Sequence, residues 1–363
     1  MNIHIIAGAR PNFMKIAPII KQIKLQGEGK ISFTLIHTGQ HYDKNMSDSF
    51  FEELGIPHPD YNLSVGSGTH AKQTADIMIR YEDFLVKNKP NLCLVVGDVN
   101  STLACSIAAK KLNIKVAHVE AGIRSGDRSM PEEINRLVTD AIADYFFTTS
   151  QLANQNLIQN GILQKQIYFV GNTMIDTLNE NLIKLVEPKI WKDANLKEKK
   201  YFVLTLHRPS NVDDVNEFIE LLNFISEEVE NTQIIFPVHP RTKRIIDSSD
   251  VSLKGNLILV QPLSYLRFNF LVKNALGVIT DSGGITEEAT VLGVPCITLR
   301  ENTERPETCT IGTNELVGRD FEKIKNALKL ILSNQWKKGE IPELWDGHAA
   351  KRIVQVLKQL ELN

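Results

Sequence analysis

Short apolar runs rich in β-branched residues recur along this chain, separated by longer stretches whose apolar residues fall at helical spacing. In the first half the runs are Ile3–Ala7, Phe33–His37, Leu92–Val96, Val116–Val119, Tyr145–Thr148 and Ile167–Val170, with a helix expected from about Asn12. This alternation predicts βαβ units stacked around a parallel sheet. A polar, lysine-rich stretch over Lys184–Lys200 interrupts it. The pattern then starts again at Phe202–Thr205, Ile234–Val238, Leu257–Val260, Gly277–Thr280 and Cys296–Leu299. Two α/β domains are therefore expected, over residues 1–174 and 175–348. The closing segment Ala349–Leu362 has apolar residues at helical spacing and is expected to form a last helix that packs back on the N-terminal domain.

A length of 363 residues is enough for two domains, each with its own core. The formal net charge of −2 argues against a nucleic-acid or anionic-membrane surface and suits a small, locally bound ligand. Cys93, Cys105, Cys296 and Cys309 form no CxxC pair, which is read as a reducing compartment and no structural metal. The first apolar run meets Arg10 at once and is too short for a signal peptide or a membrane span, so a cytoplasmic location is expected.

Ligands of open parallel sheets sit at the carboxyl ends of the strands, so the loops directly after strands hold the candidate chemistry. The first, Gly8-Ala9-Arg10-Pro11, opens a helix carrying Lys15 and brings cations together with helix N–H dipoles, a setting for a diphosphate. The second, Asp281-Ser282-Gly283-Gly284-Ile285-Thr286-Glu287-Glu288, has glycines that let backbone amides approach a phosphate, and acids placed to meet ribose hydroxyls. Asp98, Glu120 and the pair Glu132 and Glu133 are expected to converge at one sheet edge, where crowding suits a general acid or base. His207-Arg208 and His239 follow strands of the second half and fit phosphate binding or proton transfer. His118, beside Glu120, reads equally well as a polar core residue.

Taken together and in order, these motifs resemble the non-hydrolysing UDP-N-acetylglucosamine 2-epimerase family over nearly the whole chain. The matching segments are Gly8–Pro11 with Lys15, Thr38–His41, Gly97-Asp98, His118–Arg124, Pro131–Arg136, Val170–Thr173, His207-Arg208, Pro237–Pro240, Asp281–Glu288 and Thr303–Glu307. The resemblance implies a GT-B type fold, two Rossmann-like domains with parallel sheets and an interdomain cleft. It also implies a reaction without nicotinamide or metal, in which UDP leaves as the C2 proton is removed, a 2-acetamidoglucal forms, and UDP adds back. Carried over by motif, Asp98, Glu120, Glu132 and His207 are the catalytic candidates. Arg10, Lys15, Arg136, Asn172, Arg208, His239, Ser282, Gly283, Gly284, Glu288 and Arg305 are the candidates for binding the UDP-sugar. Bacterial members of the family bind a second substrate molecule allosterically, which makes Gln40, His41, Lys72 and Gln73 candidates, although Asp43 and Lys72 stand where Gln and Arg are expected. A homodimer is expected, with no nucleic-acid or membrane partner.

Two departures from the family pattern bear on the sugar. Between Gly126 and Pro131 the chain reads Asp-Arg-Ser-Met, shorter than in the familiar UDP-N-acetylglucosamine enzymes, and His207-Arg208 is followed by Pro-Ser-Asn. The short loop resembles the branch acting on UDP-2,3-diacetamido-2,3-dideoxy-glucuronic acid. The competing readings are a GT-B glycosyltransferase, which needs one base rather than a cluster, a hydrolysing epimerase, and a nucleotide-sugar binding module.

Overall fold

A computed structural model describes residues 1–26, 29–39, 51, 53–238, 240–247 and 253–361. The chain forms two units: Met1–Glu180 with Glu343–Asn363, and Asn181–Pro342. The first unit is built on seven parallel strands: β1 (Asn2–Ala7), β2 (Ser32–His37), β3 (Tyr61–Asn62), β4 (Leu92–Val96), β5 (Lys115–Val119), β6 (Tyr145–Thr148) and β7 (Ile167–Phe169). Their order across the sheet is β3-β2-β1-β4-β5-β6-β7. The second unit has six: β8 (Tyr201–Thr205), β9 (Gln233–Pro237), β10 (Leu257–Val260), β11 (Gly277–Thr280), β12 (Cys296–Thr298) and β13 (Asn314–Leu316), in the order β10-β9-β8-β11-β12-β13. Each sheet thus grows outward from its first strand in one direction and then reverses, the doubly wound order.

The central strands are apolar throughout because helices cover both faces. Along β4, Leu92, Leu94 and Val96 enter the core that also holds Phe13, Ile16 and Ile20, whereas Cys93 and Val95 enter the core with Ile77, Tyr81 and Ala104. The register places His4 beside Cys93 and Ile5 beside Leu94, so both layers continue across the sheet. In the second unit, Phe202 and Leu204 share a core with Phe218, Leu222 and Leu328, while Tyr201 and Val203 face the one formed with Leu271 and Val272.

Chain ends meet within the first unit. The helix Ala349–Glu361 lies against the helix Arg10–Gln26, its Ala350, Ile353, Val354 and Leu357 in the same core as Ile16 and Ile20. Its first turn is capped by Asp176, whose carboxylate accepts from the amides of Ala349 (3.0 Å) and Ala350 (2.7 Å). Just before it, buried Trp345 donates from Nε1 to the carbonyl of Thr149 at 3.0 Å.

Candidate active site

In the first unit the strand order reverses between β1 and β4, and open α/β sheets bind ligands at that crevice. Gly8 follows β1; Gly97 and Asp98 follow β4. Asn12 ties the two loops together. Its Oδ1 accepts from the amides of Gly8 (3.1 Å) and Ala9 (3.0 Å), and its Nδ2 donates to the Val96 carbonyl at 3.1 Å. The amides of Gly8 and Ala9 are thereby engaged within the unit. Lys15, one turn into the helix, donates to Glu120 Oε2 at 2.7 Å. Gly97 has a φ of +68°, and a Cβ there would stand 3.3 Å from the Lys15 ammonium. Glycine therefore makes the turn and leaves room for the cation.

The carboxylates are held unequally. Glu120 follows β5 with a φ of +68°, rare for a residue with a side chain, and its amide donates to the Phe147 carbonyl at 2.9 Å. Such a conformation costs on the order of 1 kcal/mol or more and persists only where the surroundings impose it. The result is a buried carboxylate turned to Lys15. Asp98 is met by Arg136, whose Nη2 donates to Oδ2 at 2.5 Å while Nη1 donates to Glu133 at 2.8 Å. Glu133 in turn accepts from the amide (2.9 Å) and hydroxyl (3.1 Å) of Ser125, which pins the loop after β5.

One further turn along the helix Pro131–Ile142, Asp140 accepts from His118 Nδ1 (2.7 Å), the Gly122 amide (3.0 Å) and Arg124 (2.6 Å). The other ring nitrogen of His118 donates to the Gly97 carbonyl at 2.8 Å. His118 is therefore a buried strut joining two strand-end loops rather than a group aimed at a ligand. Burial works to raise the pKa of Asp140, but the bonds and charges of His118 and Arg124 hold it below the ordinary carboxylate value.

Glu132 is different from its neighbour. Its side chain is half-buried in the first turn of that helix and, among the described residues, has no ion pair or hydrogen bond. Asn172 is fully buried: Oδ1 accepts from the Met174 amide at 2.9 Å, and Nδ2 has no partner among the described residues.

In the second unit the order reverses between β8 and β11, and the loops after these strands again carry the charged groups. Asp281 has no exposed surface. It accepts from the amides of His207 (3.0 Å) and Arg208 (2.9 Å), from Asn211 Nδ2 (3.1 Å), and from His207 Nδ1 at 2.7 Å. Burial tends to raise its pKa, yet His207, Arg208 and Asn211 together bring it below the ordinary value. The helix Gly283–Val291 starts beside it without a side-chain cap at Ser282, leaving first-turn amides of the kind that bind anions.

Around that helix start stand three arginines. Arg208 donates from Nε to the Asp281 carbonyl at 3.1 Å, Arg300 pairs through both terminal nitrogens with Glu304 (2.8 and 2.9 Å), and Arg305 pairs with Glu287. Arg300 and Glu304 also lie within 4 Å of where a Cβ on Gly283 would be. Glu288 faces inward, accepting from the Tyr265 hydroxyl at 2.8 Å; burial, with Glu287 nearby, pushes its pKa up to about 7 against the bonds from Tyr265 and Asn269.

The fold thus gathers Lys15, Asp98, Glu120 and Arg136 in one unit, and His207, Arg208, Ser282, Gly283, Gly284, Glu288 and Arg305 in the other. Arg136, expected to bind substrate, has both terminal nitrogens on carboxylates of its own unit. Among the allosteric candidates, Lys72 is exposed, while Gln73 is buried and accepts from Asn100 at 2.7 Å. Gln40, His41, Asp43 and His239 lie outside the described residues, as does the side chain of Arg10. Sequence reasoning missed Asp140, Asn12, Arg300 and Asn211, and read Glu133 only as part of an acidic pair. A signal existed for Asp140: with Glu133 and Arg136 it makes an i, i+3, i+7 stripe on one helix face.

Two doubly wound sheets, each with its charged residues at the reversal of strand order, define a two-unit α/β enzyme of the nucleotide-handling kind. Residues 23–358 match the family UDP-N-acetylglucosamine 2-epimerase. The chain is 44% identical to UDP-N-acetylglucosamine 2-epimerase of Methanocaldococcus jannaschii, covering 98% of this chain and 99% of that protein. It is 38% identical to UDP-2,3-diacetamido-2,3-dideoxy-D-glucuronate 2-epimerase of Pseudomonas aeruginosa, over 99% of this chain and all of that one. The crystal structure of the M. jannaschii enzyme in complex with UDP-GlcNAc and UDP superposes with a TM-score of 0.86 at 42% identity, covering 99% of this chain and 100% of that one. This chain belongs to the UDP-N-acetylglucosamine 2-epimerase family. A lipopolysaccharide outer core galactosyltransferase, 15% identical with a TM-score of 0.58, shares the fold alone. Among the described residues no helix is long and apolar enough to cross a membrane.

Proposed function

We propose that this chain epimerises C2 of a UDP-linked 2-acetamido sugar, interconverting UDP-N-acetylglucosamine and UDP-N-acetylmannosamine without hydrolysis. The observation that carries the reading is the division of chemistry between the units. Strand-end carboxylates stand at the switch point of one, and an arginine-ringed helix start beside a histidine stands at the switch point of the other. The M. jannaschii relative, crystallised with UDP-GlcNAc and UDP, supports it.

The C2 hydrogen of the sugar is weakly acidic, so its removal has to accompany departure of the leaving group. A carboxylate takes the C2 proton, the C1–O bond breaks with its electron pair on the β-phosphate oxygen, and a C1–C2 double bond forms. Returning a proton to the opposite face of C2 and adding UDP back at C1 completes the inversion. No carbon changes its net oxidation state, so the route needs no redox partner. Asp98, Glu120 and Glu132 are assigned the proton transfers, which need more than one group because the two faces differ. Arg10, Lys15, Arg208 and Arg305 offset the charge of the departing diphosphate, with the amides of Ser282, Gly283 and Gly284, and Glu288 meets the ribose. Arg136 spaces Asp98 from Glu133, and Asn172 offers its unpartnered amide to the substrate. A cytoplasmic homodimer goes with this reading, and light scattering of the purified protein checks the assembly.

The test is isotopic. In deuterium oxide the epimerised product carries deuterium at C2, and Asp98→Asn or Glu120→Gln lowers turnover by about 10²–10⁴ while UDP binding stays measurable. Product that keeps its original C2 hydrogen overturns the mechanism. A second reading, epimerisation of a UDP-2,3-diacetamido uronic acid, is favoured by the short loop after Gly126. That loop closes on itself through Asp127, which accepts from the Ser129 amide at 2.9 Å and hydroxyl at 2.6 Å. Running both substrates in the same assay decides between the two.

A further inference from the structure

We propose that Asp281 is a positioning residue for His207: it holds the ring with Nδ1–H turned inward and presents Nε2 to the departing diphosphate. This rests on the proposed epimerisation, with His207, a catalytic candidate by its motif, meeting the departing diphosphate. The geometry lies wholly within the second unit and has three parts.

First, Asp281 closes the junction between β11 and β8. Its carboxylate, with no exposed surface, accepts from two successive backbone amides of the loop after β8 and from Asn211, so the loop and the ring on it take their place from one group. Second, the His207 side chain is 60% exposed and, among the described residues, the carboxylate is the ring's one hydrogen-bonding partner. An exposed ring on a loop samples several rotamers; a 2.7 Å bond to a buried carboxylate selects one. Third, the bond fixes the tautomer. Besides the ring, two backbone amides and Asn211 Nδ2 donate to Asp281, an arrangement that suits the ionised carboxylate, and against its burial the ring first, then the Arg208 amide and Asn211, hold its pKa below the ordinary value. An anion accepts only, so Nδ1 must keep its hydrogen and Nε2 becomes the nitrogen that gains and loses one.

The arrangement fits the bond changes at C1. When the C1–O bond breaks, its electron pair passes to the β-phosphate oxygen, and Nε2–H gives its proton to that oxygen. When UDP adds back, the oxygen returns the proton to Nε2. Asp281 stays ionised throughout and stabilises the ring cation that precedes departure. Replacing the carboxylate by an amide removes that stabilisation and allows the wrong tautomer, a change known to be costly where a histidine is oriented by a buried aspartate.

The experiment compares wild type, Asp281→Asn and His207→Asn as full-length proteins, with folding followed by circular dichroism. Ring nitrogens are observed by NMR on protein labelled with 15N at histidine, His207 being assigned by its loss in His207→Asn. In wild type the neutral ring carries its hydrogen on Nδ1; in Asp281→Asn the signal of Nε2–H rises. Turnover of Asp281→Asn falls about 10²–10⁴-fold, with KM within about threefold of wild type. If His207→Asn keeps full turnover, the reading of His207 falls. If His207→Asn is slow while Asp281→Asn is fast with its tautomer unchanged, the positioning role alone falls. Should Asp281→Asn fail to fold, the wild-type spectrum still decides, because a neutral ring protonated on Nε2 overturns the proposal.

Discussion

Asp140 shows how much of the N-terminal site depends on a residue that touches no strand-end loop by sequence. It receives His118, Gly122 and Arg124, and through His118 it reaches the carbonyl that precedes Asp98. The Arg124 guanidinium, the His118 ring and the Asp140 carboxylate are buried or nearly so, and removing the carboxylate leaves the other two without their shared partner. Asp140→Asn is therefore expected to lower the unfolding free energy by about 3–5 kcal/mol at pH 7. The folded-state pKa of Asp140 lies below its ordinary 3.8, so its contribution is fully present above that value and fades only as pH falls through the lower, folded one. Denaturant titrations should find the gap between wild type and variant constant from pH 7 to about pH 4 and narrowing below. A gap that already shrinks between pH 7 and 5 would show that the carboxylate is not held as described. Asp98, Glu120 and His207 were legible in the sequence because a charged residue directly after an apolar run stands at a strand's carboxyl end. Asp140 was not, because a charged stripe on a helix ordinarily faces water, and only pairing across the fold buries it.

At the scale of elements, the central strands could be read because helices on both faces leave no polar positions in them. The two that escaped, β3 and β13, are sheet edges of two and three residues, Tyr-Asn and Asn-Glu-Leu, too short and too polar to show a pattern. The last helix was readable as a helix, but its cap was not, since Asp176 lies 173 residues from the Ala349 amide it receives. Burial raises the pKa of Asp176 to about 6, with Glu180 and Asp346 adding to the rise against the two amide bonds. A carboxyl whose folded value exceeds its unfolded 3.8 favours folding most when protonated, so its contribution is complete below about pH 4 and lost as pH climbs through 6. Asp176→Asn cannot titrate. Wild type should therefore gain on the variant by about 3 kcal/mol between pH 7 and 4, which follows from roughly two pKa units at 1.36 kcal/mol each. Thermal melts at both pH values, compared pairwise, check this; parallel shifts in the two proteins would remove Asp176 as the cause.

For the whole molecule, the decisive feature is that the second unit is one continuous segment, Asn181–Pro342, set into the first. The first unit's core is completed by Trp345, Ala350, Ile353, Val354 and Leu357, all about 1% exposed or less. Burying Ile353, Val354 and Leu357 alone is worth about 1.5–3 kcal/mol apiece, a sum that reaches the range of an ordinary domain's entire stability. Ending the chain after Pro342 should abolish the cooperative melting of the first unit while leaving a separate transition for the second, resolved by calorimetry. A truncated protein with both transitions intact would mean that the closing helix is dispensable.

The same interruption bears on how the protein is made. A ribosome releases the seven strands of the first sheet and the helix Arg10–Gln26 long before it releases Trp345 and the closing helix that packs on Arg10–Gln26, and the whole second unit emerges in between. The unit begun first is thus the last to be finished, and for the time needed to translate about 160 residues the side of the helix Arg10–Gln26 that will meet Ile353, Val354 and Leu357 lacks its cover. Nascent chains of this protein therefore present a chaperone with a binding surface that the mature one has buried.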